Sequence, residues 1–203
     1  CRRATAMYSA SRSPDGMSRY GASLNLVKCL GLLGGMSWES SIEYERTINR
    51  LVRARLGGVA SADLIIRSFN FAQIEALQEA GDWPAAGRLL TGAAVDLQAA
   101  GAEGIVICTN TMHRLFAEVE AAVTVPVLHI ADPTADAITA AGLTTVALLG
   151  TRYTMEQSFY VDRLQAHGLV VIVPEEPDRT VIHDVIYCEL VRGVCDPYSK
   201  AAY

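Results

Sequence analysis

The sequence predicts an α/β fold in two similar halves with parallel sheets, the second of them incomplete. Three observations lead there. From Leu26 onward, short apolar runs bounded by glycine or polar residues alternate with helical stretches. The strand-turn-helix segment Leu32–Ser40 has a weak echo at Leu148–Glu156, each a buried strand ending in glycine before a hydroxyl residue and an acid. The first half runs through a third strand ending at Cys108-Thr109-Asn110-Thr111, whereas the second reaches Tyr203 before a matching strand.

Taken in order, the expected strands are Val27–Leu33, Leu64–Ser68, Gly104–Cys108, Val125–Ile130, Thr145–Leu149 and Leu169–Val173. The expected helices are Ser40–Leu56, Trp83–Ala100, Met112–Ala122, Pro133–Ala141, Met155–His167 and Val181–Arg192. Ser40 with Glu43 reads as a capping box. Pro84 and Pro133 suit first turns, and Gly101 and Gly142 suit helix exits. Residues 1–25, rich in Ser, Arg and Gly without periodicity, read as a disordered extension. Residues 26–142 then form the first half and 143–203 the truncated second half, with Pro174–Asp178 a solvated acidic connector.

Composition narrows the function. The 203 residues are 51% hydrophobic and 19% charged, enough to bury a core. A net charge of −5 argues against a nucleic-acid partner. No uncharged apolar stretch approaches the roughly 18 residues of a membrane span, so no membrane partner is expected. Only Lys28 and Lys200 of the 17 basic residues are lysines, and neither is placed to carry a Schiff base. The five cysteines are odd in number and lack CxxC spacing, which suggests reduced, cytoplasmic thiols and no zinc site.

Three segments could carry chemistry. Cys108-Thr109-Asn110-Thr111-Met112-His113 follows a buried strand and opens a helix, where open α/β sheets bind ligands. Its donors suit a carboxylate, although the same residues could simply cap the helix. Cys108 reads as a core thiol or a nucleophile, and its relation to His113 is too loose to claim a dyad. Gly34-Gly35-Met36-Ser37 is either an anion-binding helix start or a plain tight turn, and is neither GxGxxG nor a P-loop. Gly150–Gln157 offers two threonines and Arg152 to a carboxylate, the alternative being that Thr154 caps its helix and Arg152 is solvated. His129 and His183 read as structural as readily as functional, without metal-ligand spacing.

Together Gly34–Ser40, Cys108–His113, Leu128-His129-Ile130-Ala131-Asp132 and Leu148–Gln157 resemble the aspartate/glutamate racemase family, closest to its bacterial L-aspartate/glutamate-specific branch. The resemblance runs from about Leu30 to Tyr203. It implies two Rossmann-like halves around a cleft and a cofactor-independent racemase that interconverts L- and D-aspartate or glutamate with two bases. It also implies a homodimer, dimers being common in the family. By position Met36, Gln78, Thr109, Asn110 and Thr111 match its substrate-contacting residues, and Thr109 stands where most members carry the first catalytic cysteine. The L-specific branch shares this threonine and runs a lopsided reaction, as expected of so weak a base. The second base would be a cysteine in a Gly-Cys-Thr-Glu motif, which is absent here and expected beyond Tyr203. The family's helper lysine is replaced near Val191. A catalytically inactive carboxylate-binding homologue and a hydantoin racemase-like isomerase are the alternatives.

Overall fold

A computed structural model describes residues 28–202; the expected 1–25 extension and the strand start at Val27 lie outside them. Strand β1 (Leu30–Gly34) is followed by helix α1 (Trp38–Leu56), β2 (Leu64–Ser68), α2 (Phe71–Glu79), α3 (Trp83–Ala99) and β3 (Gly104–Ile107). A 3-10 turn (Thr111–Leu115), α4 (Phe116–Ala122), β4 (Val127–Leu128) and α5 (Ala131–Ala140) come next. Then follow β5 (Thr145–Ala147), α6 (Arg152–Glu156), α7 (Ser158–Ala166), β6 (Val170–Ile172), α8 (Asp178–Cys188), a second 3-10 turn (Leu190–Arg192) and α9 (Pro197–Ala202). The expected α/β fold with parallel sheets is what forms.

The first four strands make a parallel sheet in the order β2-β1-β3-β4, and β5 pairs with β6 in a separate parallel sheet. Side chains alternate across β1 and β3, as the pleat requires. Leu33, Ile105 and Ile107 pack with Leu90, Leu97 and Val119 of α3 and α4. Leu32, Val106 and Cys108 turn the other way, against Tyr44 and Ile48 of α1. Around the second sheet, Ala131 and Ala135 of α5 pack with Tyr160 and Leu164 of α7. Helix α3 lies so close to β1 that a Cβ on Gly31 would stand 3.1 Å from Leu97 Cβ and 2.9 Å from Ile105 Cδ1.

Several expectations need correction. Helix α2 has no counterpart in the sequence-based assignment; Asn70 caps it by accepting from the Ala72 N–H at 3.2 Å. The Ser40–Glu43 capping box does not form, because α1 starts two residues earlier and the Ser40 hydroxyl instead donates to the Ser37 carbonyl. The single helix expected over Met112–Ala122 opens as a 3-10 turn with Met112 and His113 turned inward. Its neighbour over Met155–His167 starts at Arg152 and breaks at Gln157, whose backbone is extended. Helix α8 starts at Asp178, inside the expected acidic connector, and ends at Cys188. Pro84 does sit in the first turn of α3, and Gly101 and Gly142 do leave their helices at φ +106° and +73°. Among the described residues no helix is long and apolar enough to cross a membrane.

The turn after β1 carries the tightest backbone approach. Gly35 adopts φ +80°, and a Cβ there would lie 2.4 Å from both N and O of Phe69, whose N–H donates to the Gly34 carbonyl at 3.0 Å. Gly35→Ala is therefore expected to destabilise by about 2–5 kcal/mol, combining left-handed strain with a steric clash. Gly142→Ala, equally left-handed but with nothing within 4 Å, should cost only about 1–2 kcal/mol. Urea melts of the two variants check the contrast, and equal midpoints would refute it.

Candidate active site

A cleft of about 410 Å³ opens at the carboxyl ends of β1, β3 and β5. The two glycines after β1 place Met36 and Ser37 in its wall, and the end of β3 supplies Thr109, Asn110 and Thr111. Gln78 reaches it from α2, Thr151 from the turn after β5, Thr154 from α6, and Tyr187 from α8. All five residues singled out in the sequence, Met36, Gln78, Thr109, Asn110 and Thr111, therefore line one space.

The helix start before α1 is open. Ser37 makes no side-chain capping bond, and its carbonyl is taken by the Ser40 and Ser41 hydroxyls, each at 3.0 Å. The first turn of this 19-residue helix thus has no side-chain cap, and its Glu39 and Ser40 line the cleft; an uncapped helix start favours an anion, which Glu39 in the same turn would oppose. Asn110 likewise makes no capping bond to the 3-10 turn that it precedes. The cap reading of residues 109–111 is not what forms. By contrast Thr151 does cap α6, accepting from Thr154 N, so the cap assigned to Thr154 belongs to its neighbour.

Threonines bridge the two sheets. Thr111 Oγ1 lies 2.8 Å from Thr151 Oγ1, which lies 3.2 Å from Thr154 Oγ1. A second bridge is built on Gln78, only 4% exposed. Its Nε2 donates to Met112 Sδ at 3.1 Å, and its Oε1 accepts from the Tyr187 hydroxyl at 2.8 Å. Its backbone carbonyl also accepts from the Tyr153 hydroxyl at 3.2 Å. One amide donor and one acceptor position of Gln78 are left over for a ligand. Burial, the largest cause, holds the Tyr187 phenol above its ordinary pKa.

The thiol and the histidines take structural roles. Cys108 is fully buried, and burial pushes its pKa up to about 12, so no thiolate forms there near neutral pH. Its Sγ points at the Val106 carbonyl, 3.9 Å away, and not at His113, which removes the Cys–His pairing. His113 Nδ1 lies 2.7 Å from the Thr109 carbonyl oxygen, and its Nε2 accepts from the Ile130 N–H at 3.2 Å. His129 stands edge-on to it at 4.5 Å and accepts from the Ala131 N–H. Burial lowers both imidazoles to about 4, the facing His129 adding to the shift at His113 and Arg163 to the shift at His129. Behind them Asp132 takes a two-pronged bond from Arg163, at 2.6 and 2.7 Å, which holds its carboxyl well below the usual range.

Of the two readings of Arg152, the solvated one is what forms. Arg152 does not line the cleft; it is exposed and pairs with Glu156, so no arginine awaits a carboxylate. Near the position of the family's helper lysine, Val191 lines the cleft and Arg192 does not. Among the described residues no lysine, arginine or histidine lines it, and no three His, Cys, Asp or Glu side chains gather to hold a metal. The arrangement can therefore receive a carboxylate on neutral donors and present hydroxyls to the group attached to it. Both threonines of the Gly150–Gln157 segment, Thr151 and Thr154, do line the cleft, whereas Tyr44 and Tyr187 were not found from the sequence; Tyr187 meets Gln78 from 109 residues away and leaves no local pattern.

Comparison with known proteins follows the same outline. The sequence model of the Asp/Glu/Hydantoin racemase family matches residues 33–198. A crystal structure from Yersinia pestis, of a protein assigned as an Asp/Glu racemase, is 52% identical with a TM-score of 0.79, covering 87% of this chain and 77% of that one. An aspartate racemase homologue from Pyrococcus horikoshii OT3 is 34% identical with a TM-score of 0.71, over 83% and 74% of the two chains. The Picrophilus torridus aspartate racemase shares the fold, with a TM-score of 0.63 at 20% identity over 79% and 67%.

Two measurements probe this geometry. The folded protein keeps His113 and His129 neutral down to about pH 4, whereas the unfolded chain takes up their protons near 6.5. Their contribution to stability is thus whole above pH 6.5 and is lost as pH falls toward 4. Urea midpoints should drop between pH 7 and pH 5, and less so in His129→Phe; a pH-independent midpoint would contradict the assignment. Tyr187→Phe leaves the buried Gln78 Oε1 without its donor, and should cost about 1–3 kcal/mol in the same melts.

Proposed function

Because the chain belongs to the Asp/Glu/Hydantoin racemase family, we propose that this cleft racemises an acidic amino acid, aspartate or glutamate, without a cofactor. The observation carrying this reading is the convergence of Met36, Gln78 and the Thr109-Asn110-Thr111 turn with Thr151 and Thr154 around a single space. The 52% identical protein from Yersinia pestis, itself assigned as an Asp/Glu racemase, supports the substrate class.

In this reading the substrate α-carboxylate docks between the open start of α1 and the turn after β3. Removing the α-proton leaves an electron pair that delocalises into that carboxylate, so the preorganised N–H and hydroxyl donors stabilise the charge as it grows. A base on one face of Cα takes the proton, and an acid on the other face returns one, inverting the centre. The Thr109 hydroxyl is the proton carrier on its face, donating toward Cα and recovering a proton in the reverse direction. A threonine is a far better donor than acceptor at neutral pH, which favours formation of one enantiomer. The opposite base is a cysteine in this family resemblance; the 203 residues contain no Gly-Cys-Thr-Glu motif. Cys108 is not a substitute, being buried on the other side of β3 with its pKa raised.

A second reading, a carboxylate-binding homologue without turnover, is favoured by one observation. Three ionisable groups of the cleft, the buried Cys108 and the half-buried Tyr44 and Tyr187, are all pushed up by burial, away from neutrality. One experiment separates the two readings. The full-length protein is incubated with L-aspartate or L-glutamate in deuterated water, and α-deuterium and the D-enantiomer are followed. Racemisation predicts both, with Thr109→Val slowing the D-product by about 100-fold or more. Binding without deuterium incorporation supports the carboxylate-binding protein, and better turnover of a hydantoin would move the substrate class.

A further inference from the structure

Building on the racemase reading, we propose that His113 is the positioning residue for Thr109: its imidazole braces the Thr109 carbonyl against the Ile130 amide and so fixes how Thr109 and Asn110 present themselves to the cleft. The ring has a defined partner on each nitrogen. A carbonyl oxygen 2.7 Å from Nδ1 requires a proton there, and an N–H donor 3.2 Å from Nε2 requires a lone pair. Only one neutral tautomer satisfies both. The ring thereby ties the residues after β3 to those after β4, two strand ends that share no ladder hydrogen bond at this level.

The brace is rigid. His113 is 2% exposed, with the His129 ring edge-on at 4.5 Å and the Phe116 ring nearly parallel at 6.3 Å. What it holds is otherwise loosely tied. Among the described residues the Thr109 and Asn110 side chains make no hydrogen bond within the protein, so their direction is inherited from the backbone that carries them. Volume alone would be filled as well by leucine, at lower desolvation cost, so matching both nitrogens to backbone groups points to orientation. A donor on the Thr109 carbonyl also polarises the Thr109–Asn110 peptide and strengthens its N–H toward an anion.

The test uses the full-length protein with His113→Leu and His113→Asn. Leucine keeps the bulk and loses both bonds; the asparagine carboxamide can still donate to the Thr109 carbonyl. For D-product formation His113→Leu should lower kcat about 10- to 100-fold with little change in KM, and His113→Asn should recover most of it. Unchanged kcat in the leucine variant, or equal losses in both, would overturn the proposal. Nitrogen-15 NMR decides the matter even if the protein turns nothing over. A protonated Nδ1 with a bare Nε2 at pH 7, and Thr109 and Asn110 amide signals disturbed in the leucine variant but kept in the asparagine variant, support the brace. A protonated Nε2, or amide signals indifferent to both substitutions, would sink it. Absence of turnover in the wild type counts against the racemase reading alone.

Discussion

Burial of β3 on both faces is the constraint from which the site follows. All four residues of the strand are buried, with Ile105 and Ile107 against α3 and α4 and Val106 against α1. A strand enclosed this way has no room for an unpaired polar side chain along its length. Polar chemistry is displaced to the first residues past its end, and Thr109, Asn110 and Thr111 occupy those positions. The same enclosure accounts for Gly31 on the neighbouring strand, where any side chain would push α3 off the sheet.

Features decided by local chemistry were readable in the sequence. β2, most of α1 and α3, and the glycine exits at Gly101 and Gly142 follow from apolar runs and from backbone conformations that few other residues adopt. Helix α2 escaped notice because only Ile74 and Gln78 of its nine residues are buried, too little for a periodic signal. The start of α1 was misplaced because Ser40 and Ser41 spend their hydroxyls on the Ser37 carbonyl, a choice settled by packing against the end of β3. The strand-end residues of the cleft stood out as polar runs after apolar strands, whereas Gln78 was indicated by family resemblance alone. Tyr187, whose partner Gln78 lies 109 residues away, left no trace in spacing.

The cleft sets a few hydroxyls and amides among apolar side chains and is almost without charge, and that shapes what it can hold. Its polar side chains offer hydroxyls and amides, with Glu39 the one carboxylate in the lining among the described residues. An anion entering it would find backbone N–H groups and hydroxyls in place of a cation, donors that act at short range and depend on orientation. A two-pronged ion pair, Arg163 with Asp132, joins α7 to α5 beside His129. Partly exposed, it contributes mainly to alignment.

The threonine chain across the cleft carries one more consequence. Thr111, Thr151 and Thr154 already satisfy one another through hydroxyls that can rotate about single bonds. A ligand oxygen arriving there exchanges one partner for another and leaves the number of hydrogen bonds nearly unchanged. The enthalpy gained from hydrogen bonds at that point is then small. In the proposed racemase, whose substrate and product are mirror images and must both leave, such walls lose little by standing empty.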